Sequence, residues 1–164
     1  CKSPSTGGKS RNPKSRKSIF TAPDRRTAAE LERWVKDPQR FKWFAVNDTY
    51  YGYYAEHADD VKILSEVMTV IHSGVCMGQI FKGKLKPDHS LAMFIELNIN
   101  DINITEVDNS TALEFLRRGD IGVTADMAEG INLVRFEGLP LGWIKRVGNR
   151  SNNLYPNSLR ILNF

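Results

Sequence analysis

Residues 138–149 read Gly138-Leu139-Pro140-Leu141-Gly142-Trp143-Ile144-Lys145-Arg146-Val147-Gly148-Asn149, and Asn152-Asn153-Leu154-Tyr155-Pro156 and Leu159-Arg160 follow closely. Apolar and polar positions alternate from Leu141 to Val147, the pattern of a half-buried strand. The glycines let the backbone turn sharply or be approached closely. Immediately upstream, Ile131 to Phe136 forms a second run of this type, joined through Glu137-Gly138-Leu139-Pro140. A last strand is expected from Leu159 to Leu162. Before these, Ile102 to Val107 predicts a short strand, and Ser110 or Thr111 would cap a helix through Leu113, Phe115 and Leu116 that stops near Gly119. Short strands, one or two helices and tight glycine turns in some sixty residues describe a small α+β domain over residues 99–164, with a strongly bent or barrel-like sheet.

Working outward, residues 21–98 form another small α+β unit. Thr27-Ala28-Ala29-Glu30 has capping-box spacing and opens an amphipathic helix through Leu31, Trp34 and Val35, closed by Asp37-Pro38. Phe41 to Val46 and Tyr50 to Tyr54, separated by Asn47-Asp48-Thr49, have the composition of a hairpin. A second helix is expected from Ala58 to about Met68, burying Val61, Leu64 and Met68 on one face. Val75 to Phe81 predicts a strand, Gly83 marks a turn in a lysine-bearing loop, and Pro87 is placed to start a helix carrying Leu91, Met93, Phe94 and Leu97. Residues 1–20, CKSPSTGGKSRNPKSRKSIF, have nothing apolar before Ile19 and read as a flexible basic linker. A chain that begins at Cys1 directly in such a linker points to a piece of a larger protein.

The whole chain has 164 residues, 23 cations against 19 acids, and a formal charge of +4, with 41% hydrophobic and 26% charged residues. This excludes a large multidomain enzyme. No run approaches a membrane span and the N-terminus lacks a signal-peptide pattern, so a cytoplasmic protein without membrane contact is expected. Sequons such as Asn103-Ile104-Thr105 carry no weight in that setting. Charge is unevenly divided: residues 1–20 hold six cations and no acid, residues 21–130 hold twelve cations and eighteen acids, and residues 131–164 hold five cations against Glu137. Localised positive charge is the footprint of a protein that meets phosphates.

Catalytic constellations are nearly absent. His57, His72 and His89 lack metal-ligand spacing, and the two cysteines, Cys1 and Cys76, make neither a disulfide framework nor a cysteine-rich metal site. Gly7-Gly8-Lys9-Ser10 imitates the end of a phosphate loop but lacks the earlier glycine and the preceding strand. Cys76, between Val75 and Met77, reads as a buried inert thiol. The C-terminal stretch is richer. Trp143 and Tyr155 offer stacking faces, Lys145, Arg146 and Arg160 phosphate contacts, and Asn153 a hydrogen-bonding edge, all suited to RNA. The alternative places Trp143 and Tyr155 in the core, with Arg146 simply exposed.

The segment GLPLGWIKRVGNRSNNLYPNSLRIL resembles the C-terminal PUA-like RNA-binding domain of bacterial Sun-type (Nop/Sun) 16S rRNA cytosine-C5 methyltransferases, with its G-x-PLG-[FW]-x-K stretch and KN-x-YPKGLR. Upstream, Gly74 to Ile80 followed by Lys82-Gly83-Lys84-Leu85-Lys86-Pro87-Asp88-His89-Ser90-Leu91-Ala92 is similar to the KKGRFEPSHALA element of that family's small middle domain. The resemblance implies a PUA-like mixed sheet or pseudo-barrel and RNA contacts through Gly142, Trp143, Lys145, Arg146, Arg150, Asn153, Tyr155 and Arg160, joined by Lys82, Lys84 and Lys86. Two family cations are replaced, at Asn152 and in Pro156-Asn157-Ser158-Leu159, so the phosphate grip is either weaker or passed to Arg150, Arg146 and the linker.

The family's methyltransferase domain, with its cofactor site and its two cysteines in Pro-Cys and Thr-Cys contexts, has no counterpart in this sequence. No catalytic, cofactor or metal residue is therefore assigned. The resemblance implies S-adenosylmethionine as cofactor of the parent protein, and small-subunit ribosomal RNA and the parent's own catalytic domain as partners of a monomer. The rival expectation is a scaffold that packs on the catalytic domain or a ribosomal protein without touching RNA.

Overall fold

A computed structural model of the chain describes residues 21–67 and 74–162. The linker, Met68 and His72 lie outside the described residues. The first part runs α1 (Arg25–Glu32), β1 (Phe41–Val46), β2 (Thr49–Tyr54), α2 (Ala58–Val67), β3 (Val75–Phe81), β4 (Lys84–Pro87) and the single turn α3 (His89–Ala92). The second runs β5 (Asn103–Glu106), α4 (Asn109–Leu116), β6 (Gly130–Phe136), β7 (Leu139–Val147) and β8 (Arg150–Asn153). Each part contributes one four-stranded sheet, ordered β1-β2-β3-β4 and β5-β6-β7-β8. The first is antiparallel throughout. In the second, β5 lies parallel to β6, a pairing that needs a long crossover, and α4 lies within it. The fold is thus α+β, with a mixed sheet in the C-terminal part.

Local chemistry explains the hairpins. Asn47-Asp48, Lys82-Gly83 and Glu137-Gly138 each take two successive positive φ angles, 48° and 62°, 51° and 76°, 49° and 78°. Such two-residue turns match the twist of the strands they join. The turn after β6 is therefore only two residues, and Leu139 and Pro140 belong to β7.

The starts of α1 and α4 differ from the sequence expectation in the same way. Asp24, rather than Thr27, caps α1, accepting the Arg26 and Thr27 amides at 2.9 Å. Asp108, rather than Ser110 or Thr111, caps α4 and accepts the Thr111 amide at 2.8 Å. A carboxylate three residues before a threonine outcompetes it because it answers both the free amides and the positive end of the helix.

Three further expectations are corrected. Pro87 ends β4 instead of opening a helix, and the expected run through Leu97 shrinks to α3, capped by Asp88. Leu97 reaches the core as extended chain bridged to Val35. Of the positions expected to be buried on α2, Leu64 is exposed, Val61 is half-buried and Met68 lies outside the described residues. Leu159 to Leu162 is not a strand. The fourth strand of the second sheet is Arg150–Asn153, whose polar composition hid it, and a short 3-10 turn covers Asn157–Leu159.

The core runs across the join between the sheets. Leu31, Val35, Phe41, Met77, Leu85, Leu91 and Leu97 pack with Leu133 and Trp143 of the second sheet. On that sheet's other face, Val134 and Ile144 pack with Val107, Ala112, Phe115 and Met127. Neighbouring residues in β6 and β7 thus feed opposite cores, the period-two consequence of a sheet covered on both sides.

Candidate nucleic-acid interface

The most informative candidate, Trp143, is 1% exposed. Its indole N–H donates to the Asp88 carbonyl at 2.8 Å, and its ring meets that of Trp34 edge-on, with centroids 5.6 Å apart. It presents no stacking face to a base. Gly142 beside it has φ of 152°, and a Cβ there would lie 3.2 Å from His89 Nδ1 and 3.3 Å from a Phe115 ring carbon. The close approach that glycine permits is made by the protein's own side chains.

Asn153 and Arg146 are also turned inward. The Asn153 amide donates to the carbonyls of Phe115 at 2.8 Å and Gly119 at 3.2 Å, and its oxygen accepts the Tyr155 amide at 2.9 Å. It joins the Arg118 amide on the Phe115 carbonyl at the end of α4, and its own polar atoms are taken up within the protein. Arg146 donates from Nε to the Gly148 carbonyl at 2.9 Å and from its terminal nitrogen to the Met127 carbonyl, with Glu129 at 3.9 Å. Glu129 in turn accepts the Gly148 amide at 3.1 Å. Arg146 therefore ties the chain before β6 to the β7–β8 turn. Tyr155 is half-buried, edge-on to His89 at 5.1 Å and to Phe115 at 5.6 Å.

What remains outward is a set of cations. Lys145 and Arg150 are exposed, and the register Lys145↔Asn152 and Val147↔Arg150 puts both on one face of the β7–β8 hairpin. That face continues the Trp143 side beyond the shared core. Arg160 is exposed on a segment whose next amide, Ile161, bonds to the Leu116 carbonyl at 3.1 Å, beside exposed Arg117 and Arg118 at the end of α4. Arg118 has φ of 64° and donates to the Asn153 carbonyl at 3.4 Å. Lys82, Lys84 and Lys86 stand exposed on the β3–β4 hairpin. Among the described residues none of Lys82, Lys84, Lys86, Lys145, Arg150 and Arg160 is in an ion pair.

Sequence reasoning missed Arg117-Arg118 and the 69% exposed ring of Phe81. Two adjacent arginines before a helix-stopping glycine were a readable signal. Phe81 gave none, because an aromatic at a strand end looks the same whether it points in or out.

Two titratable side chains near Asp88, Cys76 and His89, have shifted equilibria. Burial pushes the Cys76 thiol up to about 11, helped by the Asp88 charge, which disfavours a thiolate nucleophile. Burial lowers the His89 imidazole against the opposing pull of Asp88. Among the described residues no three His, Cys, Asp or Glu side chains are grouped to hold a metal ion, and no helix is long and apolar enough to cross a membrane. S-adenosylmethionine finds no fitting cradle in the parallel β5–α4–β6 unit: the chain enters α4 through Val107-Asp108 without a glycine-rich turn, and Asp108 already occupies the helix amides.

A mixed sheet filled on both faces, one crossover helix and exposed cations make the second part a small α+β region. Residues 102–161, from the start of β5 to the turn after β8, match the family model described as the methyltransferase RsmF PUA domain. No curated protein matches the chain.

Proposed function

We propose that this chain is the RNA-binding part of an S-adenosylmethionine-dependent rRNA cytosine-C5 methyltransferase, holding small-subunit RNA for a catalytic domain carried elsewhere in the parent protein. The observation that carries the reading is the match of residues 102–161 to the RsmF PUA domain, on whose sheet Lys145 and Arg150 stand exposed and unpaired. Both project from paired strands, so their Cα positions are fixed while the long side chains adapt to the phosphate backbone. Contacts of this kind set register and orientation and read little sequence. The cofactor supplies the methyl group in the parent. The residues of this chain bind and orient, as a cytoplasmic monomer.

The test is a titration of the full chain with a labelled fragment of small-subunit rRNA at several salt concentrations. Affinity should fall steeply with salt, and the slope should flatten by about 0.7–0.9 per phosphate contact removed in K145A, R150A and R160A. Absence of binding at low salt, or a slope unchanged in the triple variant, overturns the reading and favours a protein-binding scaffold.

A further inference from the structure

The β3–β4 hairpin carries an arrangement that the PUA-like region lacks. Phe81, paired with Lys84 at the end of the hairpin, is 69% exposed. The next pair on the same face is Gln79↔Lys86, and both of its side chains are exposed. Lys82, in the turn, holds its ammonium 5.4 Å from the centre of the Phe81 ring. The opposite face of the hairpin bears Leu85, which is buried in the shared core, and the Leu85 amide donates to Glu30 of α1 at 3.1 Å. From α1, Arg26 reaches across so that its guanidinium lies 3.2 Å from where a Cβ on Gly83 would be. The tip is thus anchored from below, while an aromatic ring ringed by cations points to solvent.

An exposed ring of this size has no role in the core, and three unpaired lysines around it disfavour a neutral or cationic partner. Their charge complements a polyanion, and the ring matches a flat apolar ligand. Unpaired nucleotides combine both properties on one chain: the base covers the ring and the phosphates on either side meet the lysines. A duplex keeps its bases stacked internally and offers phosphates only.

We propose that the β3–β4 hairpin is a second RNA-contact site, in which an unpaired nucleotide stacks on Phe81 while Lys82, Lys84 and Lys86 hold the adjoining phosphates. The site rests on the reading of the chain as RNA-binding, and adds to it a preference for single-stranded segments. Gln79 supplies the hydrogen-bonding group beside the stacked base.

The experiment compares a labelled oligouridine with an RNA duplex of equal length, each titrated by fluorescence anisotropy against the full chain and its variants. F81A should weaken oligouridine binding about tenfold, within the usual range for loss of one stacking ring, with duplex binding and the salt slope unchanged. F81W should retain oligouridine binding. K84A and K86A together should flatten the salt slope with oligouridine. Phe81 is exposed and outside both core clusters, so F81A should keep the fold, and an unchanged melting curve verifies this. The inference is overturned if F81A binds oligouridine as tightly as the parent chain while K145A and R150A still weaken RNA binding, a result that leaves the broader reading standing. It is equally overturned if F81A weakens single strand and duplex alike, or if an acidic peptide displaces oligouridine through Phe81. Failure of the unmodified chain to bind any RNA removes both.

Discussion

Trp143 of β7 donates its indole N–H to the main-chain oxygen of Asp88, 55 residues earlier in the chain, at 2.8 Å. The bond closes the join between the two sheets, because Asp88 caps α3 of the first part and Trp143 lies in the sheet of the second. W143A should cost about 3–5 kcal/mol through the cavity alone. W143F, which keeps much of the ring but loses the indole N–H, leaves the Asp88 carbonyl its bond from the Leu91 amide at 3.1 Å and should cost less, with about 0.5–1.5 kcal/mol from the lost hydrogen bond. Urea unfolding of the parent chain should show one transition for both sheets, and two separated transitions would contradict a shared core.

Asn153 and Arg146 separate structure from binding. N153A removes one donor each from the Phe115 and Gly119 carbonyls and the acceptor of the Tyr155 amide, and should lower stability by about 1–3 kcal/mol. R146A should likewise destabilise by freeing the Met127 and Gly148 carbonyls. In the fraction that stays folded, neither should alter the salt slope of RNA binding, whereas K145A should. An R146A slope as flat as that of K145A would show that Arg146 reaches phosphate after all.

Acid should act on stability in two stages. His89 has a folded-state value below its ordinary 6.5 because burial favours the neutral ring, so the unfolded chain binds its proton first. The stability it protects is complete above 6.5 and is lost as the pH falls from there through the folded value. Asp24 and Asp108 lie below their ordinary 3.8 through hydrogen bonds from Thr27 and Thr111, so their contribution is complete above 3.8 and lost as the pH falls through their folded values. Melting temperature against pH should show both stages. H89Q should abolish the upper stage and D24N with D108N the lower.

Cys76 should resist alkylation. With the thiol pushed up to about 11 from 9.0, its thiolate fraction at neutral pH falls about a hundredfold. In a Cys1→Ser background, iodoacetamide should modify Cys76 about a hundred times more slowly than a free cysteine peptide, as followed by mass spectrometry. An equal rate would mean that the thiol is not held in a buried site.

The β1–β2 and β6–β7 hairpins were legible in the sequence because their signal is local: β-branched and aromatic runs on either side of Asn47-Asp48 or Glu137-Gly138 leave few alternatives, whereas Lys84–Pro87, expected as a lysine-bearing loop, is strand β4. β8 was not, since Arg150-Ser151-Asn152-Asn153 is a strand only because β7 offers it an edge. The caps were misplaced by three residues because Asp24 and Asp108 precede the apolar rhythm that reveals a helix. The alternating pattern from Leu141 to Val147 identified the strand yet could not tell which of its polar members face outward. Lys145 and Arg146 are neighbours of equal charge, and only the packing of Met127 and Gly148 around one of them decides that the other is free. Trp143 was ambiguous for the same reason, its destination set by Trp34 and Asp88, far away in the chain.

The shared core has a metric consequence. Since Leu85 on the β3–β4 hairpin and Trp143 on β7 are members of one packed cluster, the cations of the two hairpins are held like the jaws of a caliper with a locked screw. An RNA that touches both meets two sets of cations on backbones of fixed separation, so the length of strand between its two contacts bears on the fit as well as the bases at them.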